Sequence, residues 1–329
     1  MAEVSPVQAS TVRWRPGQLE ALIVGLALLV ASQRWLAALV SGDAIAAWAT
    51  IFVAVVVQAL PFLVLGVLLS AAIAVLVPTS FFERALPTRP VLAVPAAAAA
   101  GIVLPGCECA SVSVAGGLIA RGVAPAAAVA FLLSSPAINP VVLVATAVAF
   151  PHDPYLVLAR VAASLLAATV MGWLWLRIGR PEWLRTPCRA DLTGLGKCGA
   201  LVESVRHDLL HAGGFLVIGG VTAATLNVVV SRTVVLGLAH NEVVAVITMA
   251  ALAFFLAICS EADAFVAASL QEFSMTSRLV FLVVGPMVDV KLVALQAGTF
   301  GRAFAVRFGP TTLVVATGCA VGVGSWLLR

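Results

Sequence analysis

The chain has 329 residues, of which 62% are hydrophobic and only 10% charged, with a mean hydropathy of +1.11 and a formal net charge of +4. Soluble domains carry about a quarter of their residues as charges, so this composition excludes one and points to an all-α polytopic membrane protein. Its apolar runs reach the roughly 20 residues a helix needs to cross a bilayer, and the strict alternation of a membrane barrel is absent. The small positive charge sits mainly on arginines between apolar runs, which suits topology determination and implies no nucleic-acid partner.

Residues 1–18 form a polar lead with Arg13 and Arg15, and 19–40 read as an uncleaved anchor helix with the N-terminus in the cytoplasm. A long apolar run at 44–77 contains Pro61 and reads as a tilted or kinked crossing. After a loop at 78–90, the run 91–104 is interrupted by Pro105, Gly106, Cys107, Glu108 and Cys109 before apolar sequence resumes at 110–120. Each arm is too short to cross alone, so the pair is either a broken spanning helix or a re-entrant hairpin. The run 124–150 is broken around Pro136, Asn139 and Pro140, and 155–178 is an ordinary crossing ending in Trp173, Trp175 and Arg177. Arg160, near the start of that crossing, reads as a snorkelling side chain.

Residues 179–206 read as a polar cytoplasmic loop. Beyond it, a helix is expected at 207–230 and an apolar arm at 242–258. A break follows at Cys259, Ser260, Glu261, Ala262 and Asp263, then a short arm at 264–270. The segment 278–300 is interrupted at Pro286, Asp289 and Lys291, and a last helix covers 311–328.

The two halves repeat. Residues 61–66 resemble 214–219, the stretch 107–118 can be laid on 259–270, and Phe131, Pro136 and Asn139 match Phe281, Pro286 and Asp289 at nearly constant offset. Distributing arginines by the positive-inside rule favours re-entrant hairpins at Cys107 and Cys259, which makes the repeats inverted. The expected architecture is about eight spanning helices plus two hairpins. Its parts are a lead and extra helix (1–43), a first repeat (44–178), a cytoplasmic loop (179–206) and a second repeat (207–329).

Polar residues inside a membrane are functional candidates, because their desolvation needs a compensating role. Cys107, Cys109 and Cys259 are soft ligands suited to a trivalent metalloid, zinc or copper(I), with Asn139 and Ser260 beside them as substrate contacts. Glu108, Glu261, Asp263, Asp289 and Lys291 form the polar midplane set, fit to carry protons or to neutralise one another. Asp263 and Asn139 also suit helix capping. Cys188, Cys198 and Cys319 read as apolar packing residues, and His207 with His211 as interfacial solvation. No Walker A sequence, nucleophile elbow or zinc-protease helix is present, so the chain reads as no enzyme, with no cofactor and no assigned metal.

The set Leu104 to Cys109, Ala115 to Gly122, Ala130 to Pro140, Cys259 to Ala268 and Gly285 to Lys291 resembles the predicted permease family that includes the organoarsenical efflux permeases (ArsP-like), over about 44–308. The resemblance implies a bacterial cytoplasmic (inner) membrane permease expelling trivalent organoarsenicals, with Cys107, Cys109, Cys259, Asp263, Asn139 and Asp289 as carried-over candidates. The expected function is proton-coupled secondary efflux of a thiol-reactive soft substrate, with small molecule, protons and lipid as partners and the oligomeric state left open. The alternatives are a metal-ion permease, a passive channel, a membrane thiol redox protein or the membrane subunit of a larger complex.

Overall fold

The structure, a computed structural model, describes residues 43–76, 87, 89–103, 108–185, 197–229, 241–260 and 262–328. The expected N-terminal helix, Cys107, Cys188 and Glu261 lie outside the described residues, as do the side chains of Cys198, His207 and His211. The described elements are all helical. In the first half they are α1 (Asp43–Leu76), α2 (Pro90–Ala100) prolonged by a 3₁₀ turn at Gly101–Val103, α3 (Glu108–Ala120), α4 (Pro125–Ile138), α5 (Pro140–Ala149) and α6 (Pro154–Ile178). In the second half they are α7 (Lys197–Val229), α8 (Glu242–Leu256), α9 (Asp263–Ser269), α10 (Met275–Met287), α11 (Val290–Thr299) and α12 (Arg302–Leu327). Each element of the first half starts 148 to 155 residues before its counterpart in the second.

Among the described residues, five crossings are long and apolar enough to span a membrane: Ile45–Ala72, Pro125–Ala149, Pro154–Ile178, Met275–Thr299 and Arg302–Leu327. The chain is therefore a polytopic α-helical membrane protein. α1 is continuous through Pro61. At 1.5 Å rise per residue it is about 50 Å long, well beyond a hydrocarbon core of about 30 Å, so it crosses with tilt.

Contacts between helices fix their directions. Gly172, near the end of α6, meets Val94 at the start of α2 and Ala126 and Ala130 at the start of α4. Trp173 Nε1 donates to the Val91 carbonyl at 3.0 Å. At the far end of α2, Gly101 meets Ser134 and Ser135 late in α4, so α2 and α4 run parallel. Since the short turn 121–124 joins α3 to the start of α4, α3 ends at the level where α2 began. The two arms thus enter and leave at one end of the bundle, as a re-entrant hairpin does.

The second half repeats this with the opposite orientation. Gly285 of α10 meets Ala253 of α8, and Lys291 donates to the Ala257 carbonyl just past α8, so α8 and α10 are parallel. The turn 270–274 returns α9 to the start of α10. That turn lies beside the α5–α6 corner: Ala268, Gln271 and Arg278 line one cleft with Phe150, His152 and Asp153. The corner is at the opposite end from the 121–124 turn, so the hairpins enter from opposite ends and the repeats are inverted. One end carries Arg89, Arg121, Arg177, Arg180, Arg185, Arg302 and Arg307; the other carries Asp153, Glu242, Glu272 and Arg278.

Small residues let the elements approach closely, as expected where lipid supplies no hydrophobic drive between helices. Gly66 of α1 abuts the Ala110 backbone of α3, and its repeat counterpart Gly219 of α7 abuts the backbone of Lys291 in α11. α1 and α7 pack antiparallel, with Phe52 and Val56 against Gly220 and Trp48 Nε1 donating to Thr225 at 3.0 Å.

Three sequence expectations shift. The polar loop 179–206 is shorter than its composition suggests, because α7 begins at Lys197. Its first turns are amphipathic, with Val205 and Leu209 packed on the core and Arg206 3.7 Å from Glu203 on the exposed side. The last helix starts at Arg302, not 311, because Phe304 and Phe308 form a buried stripe against Trp175 while Arg307 lies over Trp183. The break in the 124–150 run is confined to Asn139: Pro136 stays inside α4, and Pro140 opens α5, where its missing donor is not needed.

Candidate functional site

The breaks place helix N-termini inside the bundle, where their free amides need acceptors. Asn139 caps α5, its Oδ1 accepting from the Val142 amide at 2.9 Å. Asp289, 150 residues on, caps α11 in the same way by accepting from the Leu292 amide at 2.5 Å. Glu108 and Asp263 occupy the first turns of α3 and α9, where a carboxylate complements the positive end of the helix dipole. All four side chains are buried.

Two ion pairs tie these carboxylates to the opposite repeat. Lys291 of α11 approaches Glu108 Oε1 at 2.5 Å and Asp289 Oδ2 at 3.5 Å, and donates to the Ala257 carbonyl at 3.1 Å. Ala257 adopts a left-handed conformation at φ 49°, where a side chain is costly, and this ends α8 beside Lys291. Ser260 Oγ donates to Glu108 Oε2 at 3.4 Å. Ser260 is the repeat equivalent of Glu108, so this contact lies where the two hairpin tips meet across the pseudo-two-fold axis.

The second pair is Arg160 with Asp263. Arg160 Nη1 and Nη2 donate to the two carboxylate oxygens at 3.0 and 2.7 Å, a bidentate fork, and Nη1 also donates to Thr146 Oγ1 of α5 at 2.8 Å. The relative exposure of the two side chains is 0% and 2%. The expectation that Arg160 snorkels to the interface is therefore overturned. α6 passes the first turn of α9, and a carboxylate inside the bundle holds the guanidinium more firmly than distant headgroups can.

A cavity of about 250 Å³ lies between α1 and the hairpin tips, bounded by Gln58 and Ala59 of α1, Glu108, Ala257, Cys259 and Lys291. Among the sequence candidates the structure brings Glu108, Cys259, Ser260, Asp289 and Lys291 into one cluster. Cys109 is fully buried and does not line the cavity, Asn139 serves as a cap, and Asp263 belongs to the other ion pair. Cys109 and Cys259 are both buried and in no disulfide. Among the described residues no group of three or more His, Cys, Asp or Glu side chains is placed to hold a metal ion. Two residues carried no motif in the sequence: Gln58, the lone polar cavity residue of the long apolar helix α1, and Arg160, outside the cavity, which acquires its role only from a partner 103 positions away.

Inverted repeats, broken helices and a polar cavity between re-entrant tips are the architecture of a membrane permease. The sequence profile of a predicted permease family matches residues 44–324, and the chain belongs to that family. It is 33% identical over 262 residues to UPF0718 protein YcgR of Bacillus subtilis (strain 168), covering 78% of this chain and 89% of the relative. It is also 30% identical over 280 residues to a putative two-component membrane permease complex subunit of Streptococcus mutans serotype c (strain ATCC 700610 / UA159), covering 82% and 93%. No solved structure matches the chain significantly.

Proposed function

We propose that this permease is a proton-coupled secondary exporter of a thiol-reactive soft substrate such as a trivalent organoarsenical, working in the bacterial cytoplasmic membrane. The observation that carries the reading is that one cavity is bounded by a thiol, Cys259, together with the ion pair Glu108–Lys291. A soft thiol gives affinity for a metalloid. The neighbouring carboxylates, Glu108 and Asp289, outnumber the single Lys291, so an added proton or a cationic solute is accommodated without a new counter-charge. The arginine-rich end faces the cytoplasm in this reading, by the positive-inside rule, and the repeats rock about the cavity to alternate its exposure. Cys107 adjoins the same motif and acts with Cys259.

The test is methylarsenite accumulation in everted vesicles, driven by an imposed proton gradient, with arsenite and zinc as parallel solutes. Cys259→Ser is expected to lower methylarsenite accumulation at least tenfold, and collapse of the gradient to abolish it. Equal accumulation with and without the thiol overturns the soft-substrate reading, and preference for zinc moves the assignment to a metal-ion permease.

The printed name of the Streptococcus mutans relative favours a second reading, in which the chain is the membrane subunit of a two-component permease. Transport by the purified chain reconstituted alone is the outcome that rejects it.

A further inference from the structure

α6 closes the first repeat and α12 the second, and at the arginine-rich end the two leave a slot of about 90 Å³ between them. Met171, Leu174 and Ile178 of α6 and Phe308 and Thr311 of α12 line its floor, and Trp183 with Arg307 forms its mouth. Met171 lies seven residues before the end of α6, so the slot reaches about 10 Å from the helix end toward the bilayer core. Ile178 is 57% exposed, which opens the slot toward lipid and not into the bundle.

Two guanidiniums share the indole at the mouth, Arg180 at 5.6 Å and Arg307 at 4.8 Å from the centre of the Trp183 ring. A guanidinium seated over a ring by its face keeps its edge N–H donors for an oxyanion. Arg307 Nη1 donates to the Ala303 carbonyl at 2.9 Å, one turn nearer the start of α12, which draws the charge to headgroup level. Glu182, the acid of the same turn, is exposed, and two arginines against it leave the mouth net positive.

We propose that this slot binds an anionic phospholipid of the phosphatidylglycerol type, its phosphate on Arg180 and Arg307 and one acyl chain on the floor from Phe308 to Met171. Arginine makes strong bidentate contacts with phosphate, and basic pockets between membrane helices are where acidic headgroups are recognised. A free phosphate would leave the apolar floor unfilled, and a zwitterionic lipid would bring its ammonium beside two guanidiniums. Because α6 and α12 belong to different repeats, the lipid lies on the seam between them. The inference goes beyond the permease reading and does not depend on what is carried.

Native mass spectrometry of the full chain, delipidated in detergent, tests the site by titration with dioleoyl phosphatidylglycerol and dioleoyl phosphatidylcholine. The first phosphatidylglycerol is expected to bind about tenfold more tightly than the first phosphatidylcholine. Arg180→Gln with Arg307→Gln is expected to erase that preference, whereas Arg177→Gln with Arg302→Gln, which strips the same charge from the same end outside the slot, is expected to keep it. Thr311→Trp fills the slot and is expected to weaken both lipids at least fivefold. Equal affinity of the unaltered chain for the two lipids overturns the proposal, and so does equal loss of preference in both arginine pairs, which means diffuse attraction. Unaltered binding to Thr311→Trp, or displacement of phosphatidylglycerol by inorganic phosphate at equal concentration, overturns it as well. If the Arg180 and Arg307 double variant cannot be purified, the Thr311→Trp and phosphate arms still decide. No solute enters the measurement, so failure of methylarsenite transport and failure of lipid binding are separate results.

Discussion

At the scale of single residues, the midplane charges are held by partners that outweigh their desolvation only while each pair is intact. Removing one member of a buried pair costs about 3–5 kcal/mol, because the survivor stays charged and dry, whereas removing both can be nearly neutral. Arg160→Met is therefore expected to lower the thermal midpoint in detergent strongly, and Arg160→Met with Asp263→Leu to recover most of the loss. A double variant no more stable than the single one would show that the pair matters through something other than its charge. Lys291→Met is expected to be more harmful still, since it strips the counter-charge from both Glu108 and Asp289. The sequence showed that charges sit in the breaks; which cation serves which carboxylate depends on distances between residues 103 and 183 positions apart, and no local pattern encodes those.

At the scale of elements, the broken helices rest on two equivalent caps. Asn139→Ala and Asp289→Ala each remove an acceptor from a buried helix start, a change worth about 0.5–2 kcal/mol. Asp289→Ala is expected to be the worse of the two by thermal denaturation, because it also takes a carboxylate from Lys291; equal losses would mean that the Lys291 contact contributes nothing. Gly219→Val is a test of close approach. A Cβ there would meet the Lys291 backbone at 2.8 Å, so α11 must shift and carry Lys291 away from Glu108. The expected result is lower thermal stability together with faster hydrogen–deuterium exchange across 108–120, and a variant with unaltered exchange would show that α7 does not set the position of Lys291. These breaks were legible in the sequence because a proline three residues before each of Asn139 and Asp289 (Pro136 and Pro286) helps interrupt an apolar run, and because the same interruption recurs about 150 positions later. The start of α7 was not legible, since amphipathic turns outside a membrane share the composition of a loop.

At the scale of the whole molecule, the opposed hairpins make a prediction about sidedness. With Cys259 retained and the other cysteines replaced by serine, Arg121→Cys and Gln271→Cys place single labels on the two hairpin-to-helix turns. An impermeant maleimide is expected to reach position 121 only in everted vesicles and position 271 only in right-side-out ones. Labelling of both from one side would mean that the Cys107 and Cys259 segments do not enter from opposite faces.

What the sequence by itself determined is whatever hydropathy and local backbone chemistry control: a membrane-embedded helical chain, two related halves, the positions of the breaks, and membership of a permease family. Charge asymmetry between loops extended this to inverted hairpins, because arginine placement is read along the chain. The tertiary structure alone decided which partners the carboxylates of the two motifs, Glu108 and Asp263, take. It placed Glu108 against Lys291 at a cavity and Asp263 against Arg160 away from it, since pairing across a bundle is set by helix packing and the close approach of Gly66 and Gly219, which sequence proximity does not reveal.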